Sequence, residues 1–270
     1  MPLSFQIRPA LVAYITCGDP DLATSRDIAL AAIAAGARVI ELGVPFSDPV
    51  ADGPVIQRAS QRALLHGTSL AQVIELGKEI RAQSQAGLII FSYLNPILRL
   101  GLKNFSAAVR DAGIDGALVT DLPVEEADDY LREMRTRNLA TIFLVAPTST
   151  DERLKRIADV SSGFLYAVSR TGVTGARQEM AQDARKLVRR LRRYTKLPVA
   201  VGFGISTPAQ FAAVGKFADA AVVGSAIVQT IESNPGREAK AVGEFVKASL
   251  WTSPNCANKS MTSTAGWWNC

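Results

Sequence analysis

The sequence predicts a single (β/α)8 barrel, and three observations carry that expectation. Short β-branched apolar runs alternate with longer amphipathic segments along the chain, eight such runs are found, and no linker interrupts them before Leu250. Eight parallel strands with helices between them close on themselves, and 270 residues is near the size, about 250, at which this architecture forms one unit.

In chain order the strands are expected at Leu11 to Thr16, Ala37 to Leu42, Gly87 to Ser92, Gly116 to Thr120, Thr141 to Ala146, Gly163 to Val168, Pro198 to Gly202 and Ala220 to Val223. Between them, helical periodicity covers Ser25 to Ala35, Leu70 to Gln83, Phe105 to Ala112, Val124 to Thr136, Asp151 to Ala158 and Gln178 to Tyr194. Thr150 before Asp151 is a helix start, and Thr207 is an N-cap with Pro208 at the first helical position, where a missing N–H costs nothing. Gly36, Gly113 and Gly163 stand just before strands, where a helix end or tight turn is needed. The barrel domain is therefore placed at residues 1–250. From Trp251 to Cys270 all three tryptophans and two of the three cysteines fall among Ser, Thr and Asn without periodicity, and this tail is expected to be disordered. Its Asn258-Lys259-Ser260 glycosylation pattern has no meaning in a cytosolic protein.

Composition narrows the function classes. A chain 48% hydrophobic and 20% charged is globular. Its most apolar runs, Gly87 to Ser92 and Ala220 to Val223, fall far short of the roughly 20 residues that span a bilayer, and Met1 to Ala10 lacks the apolar core of a signal peptide. Cys17, Cys256 and Cys270 form no CxxC pair, so a cytoplasmic setting without a disulfide framework or zinc site is expected. The net charge of +5 is densest at Arg185, Lys186, Arg189, Arg190, Arg192, Arg193 and Lys196. Leu187, Val188 and Leu191 interrupt that run at helical spacing, so it reads as a solvated helix face and not as a nucleic-acid site.

Active sites in this architecture lie at the C-terminal strand ends. The second strand ends in Glu41-Leu42-Gly43 and enters a Pro- and Gly-rich loop holding Asp48 and Asp52. An acid at the end of an apolar strand is either half of a buried salt bridge or a catalytic group with a raised pKa, and both readings of Glu41 stand at this point. Asp52 lies eleven positions on, so a loop that folds back sets a second carboxylate across a bound substrate, and two environments can divide acid from base roles. Asp48, between Ser47 and Pro49, reads as a turn cap. His66, the only histidine, reads as a surface residue, and its isolation argues against a histidine-based metal site. Gly202-Phe203-Gly204-Ile205-Ser206 and Gly224-Ser225-Ala226-Ile227 follow the last two strands, where barrels often hold phosphate on glycines and a short helix N-terminus; the plainer alternative is that these glycines only turn the chain. Ser169 to Gly175 mixes glycines with hydroxyls, as in a closing lid, and Gly175 would complete the phosphate cradle.

The segment Glu41 to Pro54 (ELGVPFSDPVADGP) resembles the signature of the tryptophan synthase α subunit. The likeness continues in Tyr14 to Pro20, Tyr93 to Pro96, Asp115 to Pro123, Ala146 to Ser149, Ser169 to Gly175 and Gly202 to Ser206, in order and at family spacing. The resemblance implies retro-aldol cleavage of indole-3-glycerol phosphate to indole and glyceraldehyde 3-phosphate. It implies that Glu41 performs the proton transfers, that Asp52 holds the indole N–H, and that Thr174 bonds Asp52. It also implies that Tyr93 and Tyr166 pack around the substrate, that Phe203 lines the indole pocket, and that Gly175, Gly204, Gly224 and Ser225 contact the phosphate. The implied partner is a β subunit in an α2β2 complex. That subunit carries pyridoxal phosphate, and neither cofactor nor metal is implied in this chain. Before the first strand the chain is several residues shorter than the family pattern, so the helix that covers the barrel floor is expected to be incomplete. The rivals are a free-standing lyase that releases indole without a β subunit, using the same residues, and a catalytically silent regulatory subunit.

Overall fold

The computed structural model describes residues 3, 5, 7–168, 177–202 and 204–251. The first half of the chain forms β1 (Ala10–Thr16), α1 (Leu22–Ala34), β2 (Val39–Gly43), α2 (Pro54–Leu65), α3 (Leu70–Arg81), β3 (Gly87–Ser92), α4 (Leu94–Leu100), α5 (Leu102–Asp111), β4 (Gly116–Val119) and α6 (Asp128–Thr136). The second half forms β5 (Ala140–Ile142), β6 (Leu144–Val145), α7 (Asp151–Val160), β7 (Leu165–Val168), α8 (Arg177–Leu191), β8 (Val199–Gly202), α9 (Pro208–Gly215), β9 (Ala220–Val223), α10 (Ser225–Glu232) and α11 (Glu238–Trp251). Every strand pairing among the described residues is parallel, in the order β5-β4-β3-β2-β1-β9-β8-β7-β6. β5 and β6 are successive pieces of one strand parted at Phe143, so the ring closes with eight staves. Side-chain alternation survives the break, because Ile142 and Leu144 face the barrel interior while Phe143 packs outward under the helices.

That alternation builds two cores. Leu11, Ala13 and Ile15 of β1, with Ile40 and Leu42 of β2, point outward against the helix shell. Ala10 and Val12 point inward with Val39, Ile89, Leu118, Ile142, Phe164, Ala200 and Val222. The inner set is closed at the N-terminal strand ends by Leu3 and Phe5, both buried. The Phe5 ring meets Phe164 edge to face at 5.5 Å, a contact of about 1 kcal/mol beyond area burial. Leu3 reaches Gly87 and Gly163, where a Cβ would lie 2.8 and 2.9 Å from its methyls. Two side chains thus fill the floor, and no helix is present among the described residues before β1.

The helices follow their start signals. Thr207 caps α9 with a full capping box through Gln210, and the Thr150 hydroxyl accepts from the Arg153 N–H. Gly36, Gly113 and Gly163 all have positive φ, as turns before strands require. The stretch expected as one helix from Val124 to Thr136 divides: Val124–Glu126 is a 3-10 turn, and α6 begins at Asp128. Val124 and Ala127 are both buried three positions apart, which is the 3-10 repeat. On α8 and just after it, Leu187, Val188 and Leu191 are buried and most of the described basic residues are exposed, several of them engaged. Arg190 grips Asp151 and the Ser149 carbonyl, and Arg192 pairs with Asp219. Residues 252–270 lie outside the described residues.

Candidate active site

The inward face changes character from floor to mouth. On β2 it runs Val39, Glu41, Gly43; on β1 it runs Val12, Tyr14, Thr16, with Tyr14 in register with Glu41. Glu41 is wholly buried, and neither carboxyl oxygen has a hydrogen-bond partner among the described residues. Burial in this apolar ring pushes its pKa from the ordinary 4.5 to about 8. Near neutral pH it therefore holds its proton while remaining able to release it, as a group that must both give and take a proton should. Among the described residues no salt bridge forms there.

Asp52 sits on the loop between β2 and α2, where Gly53 and Pro54 start the helix without a side-chain cap. Burial raises its pKa from 3.8 to about 6, against the pull of a hydrogen bond from Tyr93 that lowers it. The Tyr93 hydroxyl donates to Asp52 Oδ2 at 3.0 Å and accepts from the Ala51 N–H at 2.9 Å. Phe46 stacks on the Tyr93 ring at 4.9 Å. The two carboxylates thus differ in environment: at pH 7 one is mostly protonated and the other mostly ionised.

Tyr14 and Tyr166 face both carboxylates. The Tyr166 phenol is raised well above its ordinary range by burial, then by Glu41, Tyr14 and Asp52. The Tyr14 phenol is raised likewise by burial, Asp52, Cys17 and Glu41. Glycine makes room for each: a Cβ on Gly43 would lie 2.5 Å from the Tyr14 hydroxyl, and one on Gly202 2.4 Å from that of Tyr166. Tyr14 belongs to no site inferred from sequence, although strand parity with Glu41 marks it once the register is known.

Gly204 has φ +67 and is exposed at the mouth. Gly224 precedes α10, whose first intrahelical bond is Val228 N–H to the Gly224 carbonyl, and no side chain caps the end. The N–H groups of Ser225, Ala226 and Ile227 therefore have no intrahelical partner. α9, next to it in the chain, satisfies its own end through Gln210, which accepts from Ser206 and Thr207. Thr174, Gly175 and Phe203 lie outside the described residues.

The surrounding loops are tied together. Arg62 of α2 donates twice to Asp19 at 2.8 Å, and once at 2.8 Å to Glu232 of α10, which also takes two bonds from Arg58. Asp48 accepts from the Ser47 hydroxyl, and its carbonyl accepts from the Val50 N–H, as a turn residue does. His66 is exposed at the end of α2. An open cleft of about 310 Å³ between Phe46–Val50 and Gln57 and Gln61 flanks the site, but neither Glu41 nor Asp52 lines it. Among the described residues no cluster of His, Cys, Asp or Glu could hold a metal, and no helix is long and apolar enough to cross a membrane.

Comparison with known proteins agrees with this geometry. The family model described as tryptophan synthase alpha chain matches residues 3–252. The tryptophan synthase alpha chain of Solibacter usitatus is 51% identical over 227 residues, covering 84% of this chain and 85% of that protein. That of Neisseria meningitidis serogroup B is 46% identical over 239 residues, covering 88% of this chain and 92% of its own. Among solved structures, a chain of the tryptophan synthase a2b2 complex from the hyperthermophile Pyrococcus furiosus superposes with a TM-score of 0.85 at 40% identity, covering 90% of this chain and 98% of that one. A ligand-free tryptophan synthase from M. tuberculosis gives a TM-score of 0.81 at 35% identity, covering 90% and 94%. None of these relatives supports a free-standing lyase. The chain belongs to the tryptophan synthase alpha chain family.

Proposed function

We propose that the barrel of residues 1–250 cleaves indole-3-glycerol phosphate to indole and glyceraldehyde 3-phosphate, as the α subunit of an α2β2 tryptophan synthase. The observation that carries the reading is Glu41, a buried carboxyl without a partner among the described residues, in the barrel mouth that also receives Asp52. The reaction breaks the bond between indole C3 and the side-chain carbon that bears a hydroxyl. C3 must gain a proton and the hydroxyl must lose one, so a single group that starts protonated can supply the first and take up the second. Glu41, with its pKa near 8, has that balance. Protonation of C3 puts positive charge on the ring nitrogen, and Asp52, ionised and fixed by Tyr93, accepts the N–H there.

The phosphate is assigned to the free N–H groups at the start of α10, with Gly204, Gly224 and Ser225 around it. Thr174 as a partner of Asp52, Gly175 at the phosphate and Phe203 against the indole complete the site by family likeness. Tyr166 lines the pocket beside Glu41. The β subunit is the partner and holds the pyridoxal phosphate, none being assigned to this chain. A cytoplasmic location fits a chain whose Cys17 is a buried free thiol.

Release of indole from indole-3-glycerol phosphate tests the reading, measured with and without a β subunit. Stimulation by the partner is expected, with Glu41→Gln and Asp52→Asn each slower by about 10²- to 10⁴-fold. Absence of cleavage in both settings would sink the assignment, and equal rates in both would remove the partner from it.

A further inference from the structure

Tyr14 stands where the catalytic carboxyl, the Asp52 segment and the phosphate helix meet. Its ring packs against Ala59 of α2 and Val228 of α10, with Val55 and Ile56 beside them, and lies edge-on to Phe91 at 5.1 Å. It is 5% exposed, and its hydroxyl accepts a bond of 3.4 Å from the Thr16 hydroxyl. An acceptor so placed keeps its own proton uncommitted. The register pairs Tyr14 with Glu41 across β1 and β2, so both side chains enter the barrel at one level. The phenol oxygen lies over Gly43, two residues, or about 6.7 Å, further toward the mouth along the strand that carries Glu41. Among the described residues, a phenol whose proton is uncommitted and a carboxyl without a partner thus share one corner of the barrel, and buried polar groups seldom stay unpaired.

We propose that Tyr14 is a positioning residue for Glu41, donating its phenol proton to the Glu41 carboxylate whenever that group ionises and so holding it at the mouth of the barrel. The idea rests on Glu41 as the proton-transfer group. The bond forms when Glu41 ionises and is released when Glu41 takes up a proton; the phenol proton stays on Tyr14. The phenol stays neutral throughout, since burial and the nearby Asp52, Cys17 and Glu41 all disfavour its ionisation. The ionisable groups facing Glu41 are Tyr14 from β1 and Tyr166 from β7, with Asp52 and Cys17 beyond them. Tyr166 is the competing donor, because its hydroxyl sits over Gly202 as that of Tyr14 sits over Gly43.

A carbon-13 NMR titration of glutamate labelled at the side-chain carboxyl reads the bond directly, the Glu41 signal being the one lost in Glu41→Gln. A donor stabilises the charged form, so Tyr14→Phe should raise the Glu41 midpoint by about one pH unit above its wild-type value. The corresponding limb of kcat/KM should move with it, and kcat should fall more than KM changes. Thr16→Val, which frees the Tyr14 hydroxyl to turn away, should shift the midpoint the same way by less, and it serves as the test if Tyr14→Phe does not fold. An unchanged midpoint in the folded variants, or a shift in Tyr166→Phe alone, would overturn the proposal. The titration needs no turnover, so a protein that fails to cleave the substrate would defeat the assigned reaction without obscuring this result.

Discussion

The two ends of this barrel treat a buried carboxylate in opposite ways. At the floor, Asp219 is 2% exposed and fully engaged: Arg8 lies at 3.1 Å, Arg192 pairs with it, and it accepts from the Val199 N–H at 2.7 Å. Asp115, also at the start of a strand, takes Arg81 and the Leu88 N–H, each at 2.8 Å. At the mouth, Glu41 is buried more completely and takes no bond from any described residue. The floor acids tie strand starts to helices and the N-terminal segment. The mouth acid keeps its desolvation cost as a proton affinity that chemistry can use. The difference teaches that a partner list separates structural from reactive buried acids where burial alone does not.

Three experiments press on that contrast. The largest effect is expected from Glu41→Gln on stability. An acid whose pKa is higher folded than unfolded binds more protons in the folded state, so stability drops as pH rises from about 4.5 and levels off above about 8. Relative to wild type, the Gln variant should therefore gain stability across that window, up to about 5 kcal/mol at its top. Parallel curves in denaturant titrations from pH 5 to 9 would mean that Glu41 is not strained by burial. Next, Asp219→Ala should cost about 1–3 kcal/mol, because the buried Val199 N–H loses its acceptor, while activity per folded molecule is kept. A loss below about 1 kcal/mol, the scale of an exposed pair, would erase the distinction between the ends. The smallest effect belongs to Tyr93→Phe. The Tyr93 bond lowers the Asp52 pKa, so its removal should move the Asp52 limb of the rate profile upward from about 6, by less than about one unit. A downward shift would show that Tyr93 does not serve the ionised form.

Much of this was legible because the barrel repeats one pattern. All eight strands fall within two residues of their expected bounds, since short apolar β-branched runs between amphipathic helices leave little choice of bounds. Glu41 was legible too, as an acid in a run where every neighbour is apolar. α4 was not read as a helix, because Pro96 in its first turn also marks a turn. The floor was harder. Leu3 and Phe5 are two isolated apolar residues in sequence, and only the space above Gly87 and beside Phe164 gives them a use. The Tyr93 bond to Asp52 spans 41 positions, so no local signal predicts it. Tyr14 was hidden for the same reason, since an aromatic in a strand has no stated direction until its neighbour is known.

The uncapped end of α10 also sets a length scale. β9, which leads into it, pairs with β1, and β1 pairs with β2, so the start of α10 and Glu41 stand two strands apart. At about 4.8 Å per strand that is a span of about 10 Å across the mouth. A molecule pinned at one end by its phosphate delivers a reacting atom to Glu41 only if the linker between them matches that span. On the proposed reading the barrel is a ruler for the carbon chain as much as a pocket for the ring.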